Sequence, residues 1–175
     1  MTNKLTLIVA ALLSLSAGML FKYYQIQHTV QQQPASPLLS IRLPDSEGKP
    51  RDLSEWQGDI LIINFWATWC PPCLKEIPAF IKLQDELSDK PVQFIGIAIE
   101  DQASIVSFLQ KKPINYPVLI GGDAAIRLSQ QLGNVVNAVP FTLIVDRQGM
   151  IIHRHPGELS RQKLMQIVKP LLADN

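Results

Sequence analysis

The sequence predicts a three-layer α/β sandwich around a mixed central sheet, with an added N-terminal β-hairpin. Three observations carry this. Ile60–Phe65, apolar except for Asn64, and Val92–Ile99 read as strands covered on both faces. Segments with apolar residues at spacings of three and four, the mark of amphipathic helices, lie between and after them. A third buried strand, Phe141–Val145, is followed by a turn, a returning strand and a last helix.

Taken in order, Leu39–Ile41–Leu43 alternates as a strand does, Asp45–Ser46–Glu47–Gly48 is a turn, and Arg51–Asp52–Leu53 pairs back as a short second strand. The strand at Ile60 leads into a helix from Pro72 to about Leu87, with Cys73, Ile77, Phe80, Ile81 and Gln84 or Leu87 as its buried stripe. The strand at Val92 follows, and chain chirality makes this first strand–helix–strand unit a right-handed crossover. Ser104–Lys111 is a short helix with Ile105, Phe108 and Leu109 inward, and Asp101 is placed to cap its start. Tyr116–Ile120 reads as an edge strand, and Asp123–Leu132 as a helix stopped by Gly133. Asp146–Arg147–Gln148–Gly149 turns the third buried strand into an antiparallel partner, Met150–Arg154. Leu164, Ile167, Val168, Leu171 and Leu172 line one face of the closing helix.

The chain has 175 residues, 47% of them hydrophobic, and a formal charge of +1. That is enough for one domain with a real core plus an appendage. Lys and Arg are scattered, which excludes nucleic acid as the main partner, because phosphate binding needs a concentrated basic face.

The appendage is the N-terminus. Leu5–Phe21 is uncharged and flanked by Lys4 and Lys22. Its length of about seventeen residues is near the lower limit of a spanning helix and exceeds the apolar core of a cleaved signal peptide. Ser16–Ala17–Gly18 is a poor cleavage site, and no cysteine follows for lipid attachment. Residues 1–22 are therefore read as an uncleaved signal anchor, with a removed signal peptide as the alternative. Residues 23–37, with Gln31–Gln32–Gln33, Pro34 and Pro37, form a flexible tether, and residues 38–175 the folded domain. Lys4 and the terminal amine against Lys22 favour a cytoplasmic N-terminus, which puts the domain outside the cytoplasmic membrane, where disulfides persist.

The chain has two cysteines, Cys70 and Cys73, in Trp69–Cys70–Pro71–Pro72–Cys73, which follows a buried strand and opens a helix. So short a loop restricts the unfolded chain little, so a structural staple is a poor account of the pair. A helix N-terminus, with its unpaired N–H groups and partial positive charge, favours a thiolate at Cys70. The helical turn brings Cys73 beside it, so Cys70 attacks and Cys73 resolves. Pro71 and Pro72 stiffen the first turn, where a missing N–H loses no bond. The dithiol also lies at the carboxyl end of a central strand, where open α/β sheets place their sites. A zinc site made by Cys70 and Cys73 with His153 and His155 is the competing account of the same cysteines. The two histidines otherwise read as a solvated strand face.

Asn64–Phe65–Trp66–Ala67–Thr68–Trp69–Cys70–Pro71–Pro72–Cys73, with Glu76 and Pro78 after it, resembles the thioredoxin superfamily. It is most similar to the membrane-anchored, extracytoplasmic TlpA, ResA and CcmG branch, over about Leu38 to Leu172. The resemblance implies a thioredoxin-like fold with an added N-terminal β-hairpin and a thiol–disulfide oxidoreductase that needs no cofactor beyond the redox-active Cys70–Cys73 disulfide. It implies Cys70 as nucleophile and Cys73 as resolving thiol. It also implies a cis Pro140 beside the dithiol, with Val139 offering its backbone to a peptide substrate, and Trp69, Pro71 and Pro72 around that site. Pro78 matches a helix-kinking proline, and Trp66 matches an aromatic beside the site or a core residue.

Thioredoxins carry a buried Asp where this chain has Asn64, which cannot titrate. The resemblance transfers the role of proton-relaying acid to Glu100, at the end of the next strand. Glu76 is a weaker candidate for the same role, since an exposed first-turn acid also stabilises its helix without any catalysis. The implied partners are disulfides of exported proteins, apocytochrome c among them, and a membrane thiol donor of the DsbD or CcdA type. The implied place is the inner membrane, with the domain in the periplasm. The same dithiol run backwards is an oxidase.

Overall fold

The computed structural model describes residues 41–173, together with 3, 9–10, 12–22 and 33–34. The chain divides into two compact units, Met1–Gln33 and Pro34–Asn175. In the first, residues 9–10 and 12–22 are helical, and Val9, Leu12, Leu13, Leu15, Met19, Leu20 and Phe21 are exposed. Among the described residues no helix is long and apolar enough to cross a membrane. Residues 1–2, 4–8 and 11 of the expected anchor, most of the expected tether, and residues 38–40 at the start of the expected domain and first strand lie outside the described residues.

In the second unit the elements after the short extended piece β1 (Gln33–Pro34) follow the expected order. They are β2 (Arg42–Pro44), β3 (Pro50–Asp52), a 3-10 turn (Leu53–Trp56), β4 (Ile60–Trp66), α1 (Pro71–Glu86), β5 (Val92–Ala98) and α2 (Gln102–Lys111). Then come β6 (Val118–Ile120), α3 (Gly122–Gln131), β7 (Phe141–Val145), β8 (Met150–Pro156) and α4 (Arg161–Ala173). Strands β8, β7, β4, β5 and β6 lie side by side in that order. β4, β5 and β6 are parallel to one another, whereas β7 runs antiparallel to β4 and to β8. The sheet is therefore mixed, and β2 and β3 make the separate antiparallel hairpin.

Alternation along β4 assigns the layers. Leu61, Ile63 and Phe65 face one side, where they join Leu43 and Leu53 of the hairpin region and Ala125, Leu128 and Leu132 at α3. Ile60 and Ile62 face the other, against Phe80 and Leu83 of α1 and Leu164 and Val168 of α4. Trp66 joins Cys73 and Ile77 of α1 and Ile105 of α2. β4 reads as a continuous apolar run because helices or the hairpin cover both of its faces. Asn64 shares the parity of Ile60 and Ile62, so its polar side chain is directed into the layer that α1 occupies.

Several local expectations hold. The Asp101 carboxylate accepts from the Ser104 N–H at 3.0 Å and caps α2. Gly133, after α3, takes φ +107°, and Gly149, in the β7–β8 turn, φ +77°, both in the left-handed region that suits glycine. Two expectations on α1 need correction. Leu83 is buried and Ile81 only partly so. Glu76 is 2% exposed, so its reading as an exposed helix-stabilising acid does not hold.

Candidate active site

Cys70 is the N-cap of α1, with extended backbone (φ −94°, ψ 103°), and Pro71 and Pro72 occupy the first turn. The cysteines are joined, with the sulfurs 2.11 Å and the Cα atoms 5.3 Å apart. The Cys73 N–H donates to the Cys70 sulfur across 3.3 Å. An orphan donor of the helix end thus points at the sulfur that would carry negative charge in the reduced form. Both cysteines are buried, and Pro71 is exposed beside them. Trp69 is exposed too, whereas Trp66 is buried against Phe108 and belongs to the core.

The β7 end meets this site. The Val139–Pro140 peptide is cis, and the Val139 carbonyl oxygen lies 3.5 Å from the Cys70 sulfur. Pro140 is buried and Val139 half-buried, so the backbone just before β7 faces the dithiol across a single contact.

Two acids stand on either side of the Cys70 loop. Glu100, beyond the end of β5, is half-buried and accepts from the Thr68 hydroxyl at 3.0 Å and from the Thr68 N–H. It fixes the turn that delivers Trp69 and Cys70. Glu76 lies one helical turn beyond Cys73 on the same face. Its carboxylate accepts from the Asn64 amide at 2.7 Å and from the Leu159 N–H at 2.8 Å. The Asn64 amide also donates to the Thr142 hydroxyl at 3.0 Å, so the network joins β4, α1, β7 and the segment before α4. Burial pushes the Glu76 carboxyl up to about 7, against the lowering effect of its two hydrogen bonds.

Glu76 is the functional candidate that sequence reasoning underrated. The signal was present, since Cys73, Glu76, Ile77 and Phe80 follow the three-and-four spacing of a buried stripe. Asn64 was read only as the residue that cannot titrate, and its part in holding Glu76 was missed.

The four zinc-site candidates are not brought together. Among the described residues no group of three or more His, Cys, Asp or Glu side chains is placed to hold a metal ion. The reason lies in the strand order. β8 pairs with β7, and β7 separates it from β4, so the histidines sit two strand spacings, about 10 Å, from the strand that leads into the dithiol. His153 and His155 instead stack on each other, with ring centroids 6.1 Å apart.

A mixed sheet with helices on both faces, a CxxC pair heading a helix and a cis-proline segment against the first sulfur together define a thioredoxin-like thiol–disulfide oxidoreductase. The chain belongs to the Redoxin family, whose model matches residues 32–168. It is similar to thiol-disulfide oxidoreductase ResA of Bacillus cereus (strain ATCC 10987 / NRS 248), at 28% identity over 172 residues covering 97% of each chain. It is also similar to the thioredoxin-like protein YneN of Bacillus subtilis (strain 168), at 30% identity over 78% of each. A crystal structure of a thioredoxin-family thiol:disulfide interchange protein from Chlorobium tepidum TLS superposes with a TM-score of 0.70 and 29% identity, covering 81% of this chain and 97% of that one.

Proposed function

We propose that this protein is a membrane-tethered reductase of disulfides in exported proteins, held by its N-terminal segment with the folded unit outside the cytoplasmic membrane. The observation that carries the disulfide-exchange reading is the Cys70 sulfur itself, which receives the Cys73 N–H and faces the Val139 carbonyl; the reductase direction is taken from the family resemblance. The exposed apolar side chains of the N-terminal helical residues support the tether, since a bilayer would cover them.

In the reduced form the Cys70 thiolate attacks one sulfur of a client cystine. A Cys70–client disulfide forms, the client S–S bond breaks, and one client thiolate leaves. Glu76 takes the Cys73 proton, and the Cys73 thiolate attacks the Cys70 sulfur. The Cys70–Cys73 disulfide forms, the second client thiolate leaves, and the client has gained two electrons. The protein is left in its oxidised form, and a membrane dithiol donor of the DsbD or CcdA type restores the dithiol by the same exchange. Trp69, Pro71, Pro72 and Val139 form the surface on which the client chain lies, with the buried cis Pro140 setting the Val139 backbone beneath it, and Glu100 acts through Thr68 to hold that surface in register. No cofactor beyond the dithiol enters. Apocytochrome c, a client implied by the family resemblance, is one class of substrate.

The test is a glutathione redox titration of the protein combined with insulin reduction and a Cys73→Ser trap. A potential near the reducing end of the superfamily range, roughly −270 mV, with Cys70-dependent mixed disulfides, supports the reading. A potential near −120 mV assigns the oxidase direction instead.

A further inference from the structure

The segment between β8 and α4 reaches the site through its backbone. The Gly157 N–H donates to the Pro140 carbonyl at 2.8 Å, and the Leu159 N–H donates to the Glu76 carboxylate at 2.8 Å. The Glu158 carbonyl belongs to the same peptide group as that Leu159 N–H, and it lies 3.1 Å from Nε2 of His155. A carbonyl oxygen only accepts, so Nε2 carries the proton and the half-buried ring is the donor.

One peptide plane therefore joins His155 at its oxygen to Glu76 at its nitrogen. Donation into a peptide oxygen makes the N–H of the same group a stronger donor, because linked hydrogen bonds polarise one another. That N–H serves a carboxylate, so whatever strengthens it favours the ionised form of Glu76. The bond from His155 also closes a turn over residues 155–158. Gly157 sits inside this turn at φ +85°, a conformation that suits glycine. Releasing the ring would free the turn, and with it the direction of the Leu159 N–H.

The groups around this chain leave the ring as its adjustable member. His153 stacks on His155, and burial, with His155 and Lys163 nearby, holds His153 below the ordinary histidine range. On the other side, Asn64 and Thr142 bring no charge to Glu76 from β4 and β7. The Glu158 carboxylate opposes ionisation of Glu76, but the Lys75 ammonium pairs with it at 2.9 Å. Tyr116, before β6, is kept neutral by burial and by the charge of Glu76.

We propose that His155 is a positioning residue for disulfide exchange: by donating to the Glu158 carbonyl, it orients and strengthens the Leu159 N–H that holds the Glu76 carboxylate one helical turn from Cys73. This deepens the exchange reading and rests on it, at the step where Glu76 takes the Cys73 proton. His155 reaches Glu76 through a peptide group, so it sets how readily Glu76 ionises without itself meeting the reacting atoms. A histidine that reads from the sequence as part of a solvated strand face is thus the outer end of the hydrogen-bond chain that starts at Asn64.

The experiment uses the full chain in detergent, oxidised, with its glutamates isotope-labelled at the side-chain carboxyl carbon for NMR titration. Loss of one signal in Glu76→Gln identifies Glu76, which should titrate near 7 in wild type. His155→Ala should move that titration up by about half a pH unit or more. His155→Gln, whose amide can donate to the same carbonyl, should restore most of the wild-type value. Stopped-flow resolution of a Cys70 mixed disulfide should show its inflection displaced in the same way, with the plateau at high pH kept. An unmoved Glu76 titration in His155→Ala, even with a lowered thermal midpoint, marks a merely structural role and overturns the proposal, leaving the exchange reading standing. Equal shifts in the Ala and Gln variants also overturn it, because the donated hydrogen bond is then not the cause. A wild-type Glu76 that titrates near 4.5 overturns both this role and proton transfer to Glu76, while capture of client by Cys70 would still uphold exchange. A protein that captures no client overturns both readings.

Discussion

The Glu76 carboxylate accepts a 2.7 Å hydrogen bond from the side-chain amide of Asn64, and both residues are 2% exposed. An acid is thus kept in the core one helical turn from Cys73, tied to the strand that leads into the dithiol. A residue that cannot titrate holds one that titrates near neutral pH.

The first consequence concerns stability. The unfolded carboxyl titrates near its ordinary value of 4.5, whereas burial raises the folded value to about 7. Between these values the fold retains a proton that the unfolded chain has lost, so stability falls as pH rises through the window. Below it both states are protonated and above it both are ionised, so the contribution is flat on either side. The separation corresponds to about 3 kcal/mol. Glu76→Gln removes the titration, and denaturant unfolding should find the variant more stable than wild type by about 2 kcal/mol at pH 8, with the difference closing toward pH 4. Equal pH dependence in the two proteins would refute the buried-acid assignment.

The second concerns rate. If Glu76 takes the Cys73 proton, release of a trapped client should rise with pH through about 7 in wild type. In Glu76→Gln it should be slower by roughly 10²-fold at pH 7.5 and lose that inflection. Stopped-flow resolution of a preformed Cys70 mixed disulfide measures the step directly.

The third separates the two acids. Glu100 accepts both from the Thr68 N–H and from its hydroxyl. Glu100→Ala leaves that backbone donor without its acceptor and should cost about 1–3 kcal/mol. It should loosen the Cys70 loop and shift the Cys70 titration in a thiol-alkylation profile, while the inflection from Glu76 remains. Glu100→Gln, which keeps one acceptor, should show a smaller loss of the same kind. Loss of the inflection near pH 7 in either variant would move the proton-transfer role to Glu100.

The fourth tests the tether. Removing residues 1–22 and replacing them with a cleavable export signal should release the protein from the membrane fraction into the soluble extracytoplasmic fraction. Thiol exchange with insulin should remain. Fractionation followed by alkylation of Cys70 from outside the membrane decides it. A shortened product of the unaltered sequence found in the soluble fraction would favour the removed signal peptide.

The sequence by itself determined the order of elements and the position of the dithiol. Both are local, since the apolar run Ile60–Phe65, the stripe through Cys73, Ile77 and Phe80, and the prolines after Cys70 each state their conformation within one strand or one turn of helix. Tertiary structure alone decided that Asn64 and Leu159 meet Glu76, that Asn64 also meets Thr142, and that β7 keeps the histidines away from the cysteines. Those outcomes depend on strand order and on residues up to 83 positions apart, as between Glu76 and Leu159. Burial, and with it the proton affinity of a carboxyl, is a property of everything packed around a side chain, and no local pattern encodes that packing.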